Sequence, residues 1–255
     1  MISIVIPTLN EAENLAVLLT RLEAEKTAHE IVVVDGASTD GTFGIAQRHG
    51  VIAILSSAGR GIQLHTGASE TNGDILLFLH ADCRFPKGGL RQIENVLTRN
   101  PQIVGGNFRL LFDGTDRFSR WLNGFYAWIR SRGLYYGDSG IFIRRTVFDA
   151  IGGIRPIELM EDFDLVRRME RYGETVCIAE PPLVTSSRRF KGRHPVAIVW
   201  GWLRIHALYR LGVSPARLAR IYDSERRADH SPTTVTTASV KRRSSGSSMT
   251  KGGIR

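Results

Sequence analysis

An imidazole and a carboxylate stand directly after an apolar run in the stretch DILLFLHADCRFP, residues 74–86. The run 75–79 predicts a buried strand, and His80 and Asp82, two residues apart, share one face of it. A carboxylate in this place, beside a pyrophosphate, would hold a hard cation such as Mg²⁺ or Mn²⁺ and help a diphosphate to leave. The alternative is that Asp82 is a turn aspartate before Pro86.

The ends of the first two predicted strands also carry polar side chains. In PTLNEAENL, Thr8 and Glu11 have the spacing of a capping box that opens a helix, and equally suit a ligand contact at the carboxyl end of a strand. In VVVDGASTDGT, Asp35 follows three valines, where its carboxylate can accept hydrogen bonds from a base or a ribose. Turn chemistry is the alternative for Asp35 and the better explanation of Asp40.

Arg60 lies in a glycine-flanked stretch, SAGRGIQLHTGA, before a predicted helix. A guanidinium there suits contact with a phosphate, and a solvated surface arginine would have the same sequence. The chain has no G-x-x-x-x-G-K-[ST] motif, and GRGIQLHTG does not fit G-x-G-x-x-G. The motifs therefore give no support to an NTPase or a dinucleotide-binding enzyme.

Four acidic residues lie within seven positions in the stretch ELMEDFDL: Glu158, Glu161, Asp162 and Asp164. An acidic helix N-terminus is the ordinary explanation, because the helix dipole favours negative charge there. A carboxylate held in a cleft could instead act as the general base on an acceptor hydroxyl.

Short apolar runs alternate with helical patterns through the first half of the chain. The runs 2–6, 31–34, 51–55 and 75–79 are unbroken and rich in Ile and Val, as parallel strands covered on both faces are. They predict an α/β fold with a mostly parallel sheet flanked by helices, and ligands at the carboxyl ends of the strands. Further along, the pattern predicts strands at 103–112 and 139–143, and helices at 118–129, 161–172 and 196–211, the last being the final long helix.

Composition favours one globular domain followed by a tail. The chain has 255 residues, of which 42% are hydrophobic and 23% charged. We predict a domain at 1–223 and a basic, Ser/Thr-rich disordered tail at 224–255. The tail holds +5 of the net charge of +9, so the domain lacks the concentrated charge of a nucleic-acid-binding protein. Cys83 and Cys177 are too far apart for a metal or redox motif, which favours a reducing compartment.

The N-terminal stretch argues against a signal peptide, and the lengths of the apolar runs argue against a membrane-spanning helix. MISIVIPTLNE does not have the basic flank of a signal peptide, and no stretch of about 18 uninterrupted apolar residues predicts a spanning helix. The segment 194–213 combines Trp200, Trp202 and Tyr209 with two arginines, which suits a helix at a membrane interface or a core helix packed on the sheet. We predict a cytoplasmic protein, with peripheral contact to the inner membrane face through 194–213 and the tail as the open alternative.

Taken in order, these motifs resemble those of the family 2 inverting glycosyltransferases, which have the Rossmann-like, nucleotide-sugar-binding GT-A fold. IVIPTLNE, IVVVDGASTDGT, LLFLHAD, YGDSG and MEDFDL follow the order and separations usual in that family, over residues 2–222. FLHADCRFP, GDSGIFIRR, LMEDFDL and YRLGVSP are similar to a bacterial subgroup of small stand-alone members.

The resemblance implies a nucleotide-sugar donor, a UDP- or GDP-sugar, bound at the strand ends. Pro7, Thr8, Glu11 and Asp35 match positions that contact the nucleoside. Arg60 lies in a segment that, in the family, is close to the base and phosphates of the donor.

The resemblance also implies the catalytic residues. Asp162 matches the catalytic base, with Glu161 supporting it, and Asp82 matches the last aspartate of the D-x-D metal motif, which binds Mg²⁺ or Mn²⁺. Two departures are visible: Gly36 stands where the family usually has an acid, and the D-x-D motif reads His80-Ala81-Asp82. Imidazole suits Mn²⁺ better than Mg²⁺.

The basic stretch RRFKGRH, residues 188–194, follows the E-D motif, where the family often has a segment that closes over the donor. The resemblance predicts that Arg188 or Arg189 meets the diphosphate or the acceptor and that His194 adds a metal contact, with a solvated loop as the alternative. Two other functions stay open: a nucleotidyltransferase, which PTLNEAEN disfavours because it has neither glycine nor lysine, and a non-catalytic module that binds a nucleotide sugar.

Overall fold

Strands and helices alternate along the chain as the hydrophobic pattern predicts. The computed structural model describes residues 1–190, 192 and 194–230, with the backbone alone for Arg189 and for 223–230. Its strands are β1 (Ile2–Thr8), β2 (His29–Asp35), β3 (Ile52–Leu55), β4 (Ile75–Phe78), β5 (Cys83–Arg84), β6 (Ile103–Phe112), β7 (Ile141–Arg144) and β8 (Glu174–Thr185). Its helices are α1 (Ala12–Glu23), α2 (Thr42–Arg48), α3 (Arg60–Ser69), α4 (Gly89–Arg99), α5 (Arg117–Arg130), α6 (Arg145–Ala150), α7 (Glu161–Tyr172), α8 (Pro195–Arg210) and α9 (Pro215–His230).

The strands form one mostly parallel sheet in the order β3-β2-β1-β4-β7-β6-β8-β5. The first four are parallel to one another, as are β6 and β8, whereas β7 runs antiparallel to both of its neighbours and β5 antiparallel to β8. Helices α1, α2 and α3 supply the crossovers that parallel neighbours require. The register pairs Thr8 with Asp35 and Val5 with Phe78, so β1, β2 and β4 end at one edge of the sheet.

Helices cover both faces of the sheet, and alternate residues of β1 pack into the two hydrophobic clusters on either side of it. Ile2, Ile4 and Ile6 pack in the cluster that holds α1 and α4, while Val5 packs in the cluster that holds α3, α6 and α7. This alternation follows from the two-residue period of a strand. The leucines of α1 repeat at helical spacing and are fully buried: Leu15, Leu18, Leu19 and Leu22.

Two predictions about strands were wrong. The run 51–55 is not covered on both faces, because β3 is the edge strand, and Ile52 and Leu55 are 46% and 62% exposed. The strand predicted at 139–143 begins only at Ile141, because Gly137–Ser139 forms a 3-10 turn. That turn contributes to the functional site.

The C-terminal part departs most from the prediction. The helix at 196–211 is not the final one, because α9 follows it and ends at His230, seven residues beyond the predicted end of the domain at residue 223. Residues 224–230 contain no glycine or proline and are mostly tolerable helix formers, which explains the extension. The rest of the predicted tail, 231–255, lies outside the described residues. Among the described helices, none has the length and hydropathy needed to cross a membrane.

Candidate active site

Asp35 and Thr8 lie side by side at the ends of β2 and β1. The Thr8 and Ser38 hydroxyls donate to Asp35 Oδ1 at 2.9 and 2.5 Å, and the Ser38 N–H donates to Oδ2 at 2.9 Å. Asp35 is fully buried, so it fixes the turn after β2. Ser38 was not identified from the sequence, although side-chain bonding of this kind is usual after an aspartate.

The capping-box alternative for Thr8 and Glu11 was wrong. Glu11 is itself the N-cap residue of α1 and makes no side-chain cap, while Thr8 is used by Asp35. The N–H of Ala12, the first residue of α1, instead donates to the Asp40 carboxylate at 3.1 Å. Asp40 also accepts from Thr42, so the prediction of turn chemistry at Asp40 is confirmed.

Arg188 lies between Glu11 and Asp82, two acids that the resemblance assigns to the donor site. It lies in the 3-10 turn Arg188–Phe190, and its Nη2 donates to Glu11 Oε1 and lies 3.5 Å from Asp82 Oδ2. Pro7 immediately precedes Thr8 in β1, on the same strand end. The structure therefore brings Glu11, Asp82 and Arg188 together at the carboxyl edge of the sheet. The side chain of Arg189 lies outside the described part of the molecule.

Arg60 does not lie in a loop but is the first residue of α3, and it faces α7. Its Nε donates to Glu161 Oε1, 101 residues further along the chain, and its Nη2 lies 3.7 Å from Asp162 Oδ2. Close backbone packing permits this, since a Cβ at Gly61 would lie 2.3 Å from the carbonyl oxygen of Ile157. The guanidinium is thus directed at the E-D pair.

Glu161 and Asp162 are both buried but differ in protonation chemistry. Burial alone would raise the pKa of the Asp162 carboxyl, but Arg60, the N–H groups of Gly137 and Phe163, and His80 together hold that pKa below its usual range. Burial raises the pKa of the Glu161 carboxyl above its ordinary value, although Arg60 opposes this. Asp162 is therefore an ionised carboxylate at neutral pH, able to accept a proton.

The 3-10 turn Gly137–Ser139 holds Asp162 from the other side. The Gly137 N–H donates to Asp162 Oδ2 at 2.8 Å. A Cβ at Gly137 would lie 3.1 Å from His80 Nε2 and 3.2 Å from Asp162 Oδ2, so both side chains converge on this glycine. His80 therefore faces the E-D pair, on the sheet side of it.

The acidic residues of the run 158–164 do not all have the same role. Asp164 pairs with Arg155 and Arg168 at 3.1 and 2.6 Å, an arrangement that fixes α7. Met160 occupies the N-cap position of α7, directly before the E-D pair, with a left-handed φ of 70°. A non-glycine residue in this conformation stores strain of about 1–3 kcal/mol, a cost often found at functional sites. The helix-terminus explanation of the run therefore accounts for only part of it.

A cavity of about 340 Å³ opens beside Asp162. Its polar lining residues include Arg60, His80 and Asp162, and other lining residues come from α5, the segment before α7, α8 and α9. Aromatic and apolar side chains form most of the wall: Phe125, Tyr126, Tyr136, Leu159, Met160, Phe190, Ile198, Trp202, Ile205 and Tyr222.

A hydrogen-bonded aromatic cluster that was not identified from the sequence forms one wall. Trp202 Nε1 donates to Tyr136 Oη at 2.8 Å, and Tyr136 Oη lies 2.9 Å from His206 Nε2. His206 Nδ1 is 2.8 Å from the carbonyl oxygen of Trp202, which makes Nδ1 the protonated nitrogen and Nε2 the acceptor of the Tyr136 hydroxyl. The mixture of indole, phenol and imidazole in YGDSG and 194–213 was the available signal.

The metal prediction named Asp82, with His80 or His194 as a further contact. Among the residues that the structure describes, no three His, Cys, Asp or Glu side chains are grouped closely enough to hold a metal ion. His194 is the N-cap residue of α8, where its Nδ1 accepts from the Val196 N–H at 3.3 Å. One carboxylate together with substrate phosphates is nevertheless a normal ligand set for Mg²⁺. Asp82, partly exposed beside Arg188, fits that arrangement.

Comparison with known proteins identifies the family. The family model for glycosyl transferase family 2 matches residues 3–157, more than half of the chain. The chain belongs to this family. Among curated relatives, it is 32% identical to the undecaprenyl-phosphate 4-deoxy-4-formamido-L-arabinose transferase of Pseudomonas syringae pv. syringae over 167 residues, which are 59% of this chain and 49% of the relative. The chain spans about half the length of the curated relatives it matches first.

Solved structures confirm the GT-A fold of this family 2 glycosyltransferase. The mannosyltransferase PcManGT from Pyrobaculum calidifontis, in complex with GDP-Man and Mn²⁺, has a TM-score of 0.60 at 19% identity and covers 88% of this chain and 68% of its own. Glucosyl-3-phosphoglycerate synthase from Mycobacterium tuberculosis, with Mn²⁺, UDP-glucose and phosphoglyceric acid, has a TM-score of 0.59 at 19% identity and covers 84% and 80%. At these identities the likeness shows the fold alone.

Proposed function

We propose that this family 2 glycosyltransferase moves a hexosyl group from a UDP- or GDP-sugar to an acceptor hydroxyl, with inversion, and that Asp162 is the catalytic base. The observation that carries the proposal is the state of Asp162: a buried carboxylate kept ionised by its neighbours and opening on a cavity of about 340 Å³. Membership of a glycosyltransferase family argues against a nucleotidyltransferase. A module that only binds a nucleotide sugar would not need an ionised carboxylate at Asp162.

The reaction needs one displacement. The acceptor oxygen attacks the anomeric carbon from the face opposite the diphosphate, its proton passes to Asp162, and the bond from the anomeric carbon to the diphosphate oxygen breaks. Arg60 holds Glu161 and Asp162 in place from α3, and Gly137 holds Asp162 from the facing turn. The enzyme requires no nucleophile of its own for this chemistry.

The donor side lies at the carboxyl edge of the sheet. We assign the nucleoside to the strand end that holds Pro7, Thr8 and Asp35, and the diphosphate to the region of Asp82 and Arg188. Asp82 is the residue that would hold Mg²⁺ or Mn²⁺; such a cation, when bound, neutralises charge on a departing diphosphate. The neighbours crystallised with Mn²⁺ and nucleotide sugars support this assignment.

The outer face of α8 supports the proposed contact with a membrane surface. Val196, Trp200 and Leu203 repeat at helical spacing and are 69%, 68% and 48% exposed, while Ile198 and Ile205 are buried. The buried face of the helix fits the core interpretation of 194–213, and the exposed apolar face supports the proposal of an interfacial helix. A partly exposed apolar stripe with nearby basic charge suits anionic lipid, and an acceptor carried by a lipid or another membrane-associated molecule would fit such placement.

The test of the proposal is Asp162→Asn. The amide cannot accept the proton, so transfer or donor hydrolysis, assayed with UDP-glucose and GDP-mannose in the presence of Mn²⁺, should fall about 10²–10⁴-fold. Donor affinity should stay within a few-fold. Asp164→Asn is the matched control, because Asp164 belongs to the same acidic run but pairs with Arg155 and Arg168. Transfer by Asp162→Asn within a few-fold of the wild-type rate would remove Asp162 from the role of base.

A further inference from the structure

A second cavity, of about 270 Å³, is lined by residues of α7 and α8, and we call it the arginine cavity. Four of its polar or charged lining residues come from α7 and two from α8: Asp164, Arg167, Arg168, Arg171, Tyr209 and Arg210. It shares no lining residue with the cavity beside Asp162. Its volume lies just below the range of about 300–1,000 Å³ for drug-sized ligands, so it suits a small polar group.

The acids at the arginine cavity neutralise only part of its positive charge. Asp164 is shared by two arginines, Arg155 at 3.1 Å and Arg168 at 2.6 Å, and Glu170 pairs with Arg167 at 2.9 Å. Two carboxylates therefore serve three arginines. Arg168 is also fixed in place, because its Nη1 donates at 2.7 Å to two backbone carbonyl oxygens in the loop after α6.

Two further arginines of the cavity have charges that no described acid neutralises. Arg171 and Arg210 are exposed, and within the described part of the chain neither side chain forms an ion pair or a hydrogen bond. Each stands in the last turn of its helix, where the helix dipole favours a cation. The dipole explains each arginine separately, but it does not explain why both line one cavity.

Tyr209 adds a hydroxyl group to the arginine cavity. Its ring packs edge-on against Phe163, with the ring centroids 5.8 Å apart, which restricts where the hydroxyl can lie. Among the described residues the hydroxyl has no hydrogen-bond partner. Burial raises the pKa of the Tyr209 phenol, and Asp164 adds to this effect, so the hydroxyl stays protonated at neutral pH and can donate. Guanidinium groups beside an O–H donor match the acceptor oxygens of a phosphate.

We propose that the arginine cavity binds a phosphate group, carried by a soluble phosphate compound or by the headgroup of an anionic lipid. Arg171 and Arg210 supply the charge, Arg168 supplies a fixed edge, and the Tyr209 hydroxyl donates to a phosphate oxygen. Arginine suits this ligand because its planar guanidinium binds phosphate through two parallel hydrogen bonds. The site does not use Asp162, so it does not rest on the proposed transfer reaction.

The position of the cavity on α8 is compatible with the lipid source. Arg210 follows Leu203 by seven residues, about two helical turns, and therefore lies on the same side of α8 as the exposed side chains of Trp200 and Leu203. A lipid whose tails contact that apolar stripe would bring its headgroup to the level of Arg210. A soluble phosphate compound would use the same donors without the stripe.

Fluorine NMR of the full chain tests the site directly. Labelling with 3-fluorotyrosine gives one signal for each of the six tyrosines, and loss of a signal in Tyr209→Phe assigns that of Tyr209. Inorganic phosphate is titrated without donor or metal at constant ionic strength, so that general screening does not change. The Tyr209 signal should shift saturably. Arg171→Gln with Arg210→Gln should weaken the apparent affinity by about tenfold or more, because charge-assisted hydrogen bonds are lost.

Arg91→Gln with Arg99→Gln is the matched control. Both arginines are exposed on α4, which packs against the other face of the sheet, and their removal changes the net charge by the same amount. This variant should bind phosphate as the wild type does. Equal phosphate affinity of the two double variants would overturn the proposal, as would a Tyr209 signal that does not shift saturably in the wild type.

Vesicle sedimentation then distinguishes the two sources of phosphate. With a lipid headgroup, the double variant of Arg171 and Arg210 should bind phosphatidylglycerol vesicles less than the double variant of Arg91 and Arg99, although both have the same net charge. With a soluble phosphate compound, the two variants should sediment alike and still differ in phosphate affinity. None of these measurements depends on turnover, so a failure of Asp162→Asn to abolish transfer would leave them unaffected.

Discussion

Asp162 is a buried acid that stays ionised because its neighbours outweigh the cost of burial. Arg60 provides the charge, and the N–H groups of Gly137 and Phe163 provide hydrogen bonds. Glu161 shares Arg60 but has only one partnered oxygen, since its buried Oε2 has no hydrogen-bond partner among the described residues. In the proposed function the two adjacent acids therefore have different roles: Glu161 holds Arg60, and Asp162 receives a proton.

The pH dependence of Arg60→Gln tests this division. The pKa of Asp162 is lowered, and a base acts in its deprotonated form, so wild-type activity should persist to acid pH and fall only below the usual carboxyl range. Removing the positive charge should raise the pKa of Asp162 and move the acid limb of kcat/KM upward by about one to three pH units.

The matched control for that profile is Arg155→Gln. Arg155 pairs with Asp164 on the same helix, at 3.1 Å, but does not line the cavity. Its acid limb should coincide with that of the wild type. If the limb of Arg60→Gln also stayed in place, the lowered pKa of Asp162 would need a source other than Arg60.

Among the elements, the 3-10 turn Gly137–Ser139 leaves little room beside Asp162. Gly137→Ala would place a methyl group 3.1 Å from His80 Nε2 and 3.2 Å from Asp162 Oδ2, tight enough to displace one of them. We expect transfer to fall on the order of tenfold or more, because small displacements of a catalytic group are costly. Donor affinity, measured by calorimetry, should change little.

Gly124→Ala is the control for the turn. Gly124 lies within α5, and an added methyl group there would meet nothing within 4 Å. It should leave transfer unchanged and raise the melting temperature slightly, because alanine favours a helix. Equal kinetics for Gly137→Ala and Gly124→Ala would show that the turn does not constrain Asp162.

The elements that the sequence predicted best are those in which the hydrophobic residues follow a single helical or strand repeat. Helix α7 was predicted with its observed bounds, and Thr8 and Asp35 meet at one sheet edge as parallel strands require. The prediction that His80 and Asp82 share a strand face was wrong, because β4 ends at Phe78 and Asp82 lies in the turn that follows. The pairing of Arg60 with Glu161 was not predictable, because it joins residues 101 positions apart through backbone contact at Gly61. The cavity was missed for a related reason: its aromatic wall combines residues of α5, α8 and α9, which are far apart in the sequence.

On the scale of the whole molecule, α8 separates the cavity beside Asp162 from an outer apolar face. Trp202 and Ile205 face inward, and Trp200 and Leu203 face outward. Residues 231–255 contain five basic and no acidic residues, which would add electrostatic attraction to anionic lipid. Charge and apolar surface can then act together, as two weak signals do in peripheral binding.

Vesicle sedimentation tests that arrangement. The full chain should co-sediment with phosphatidylglycerol vesicles at low salt, and less so with neutral phosphatidylcholine vesicles or at high salt. Trp200→Ala with Leu203→Ala, and deletion of 231–255, should each reduce the bound fraction by removing one of the two attractions. A full chain that stays in the supernatant with anionic vesicles at low salt would exclude the membrane contact.

The 3-10 turn Arg188–Phe190 has one residue on each side of the enzyme. Arg188 reaches Glu11 and Asp82 at the carboxyl edge of the sheet, while Phe190 lines the cavity beside Asp162. In the proposed function, a donor diphosphate that draws Arg188 towards it would also move the turn that carries Phe190. The affinities for donor and acceptor would then be linked reciprocally. Initial-rate kinetics should therefore show a sequential mechanism with an order of addition, donor first, and Arg188→Ala should make that order random.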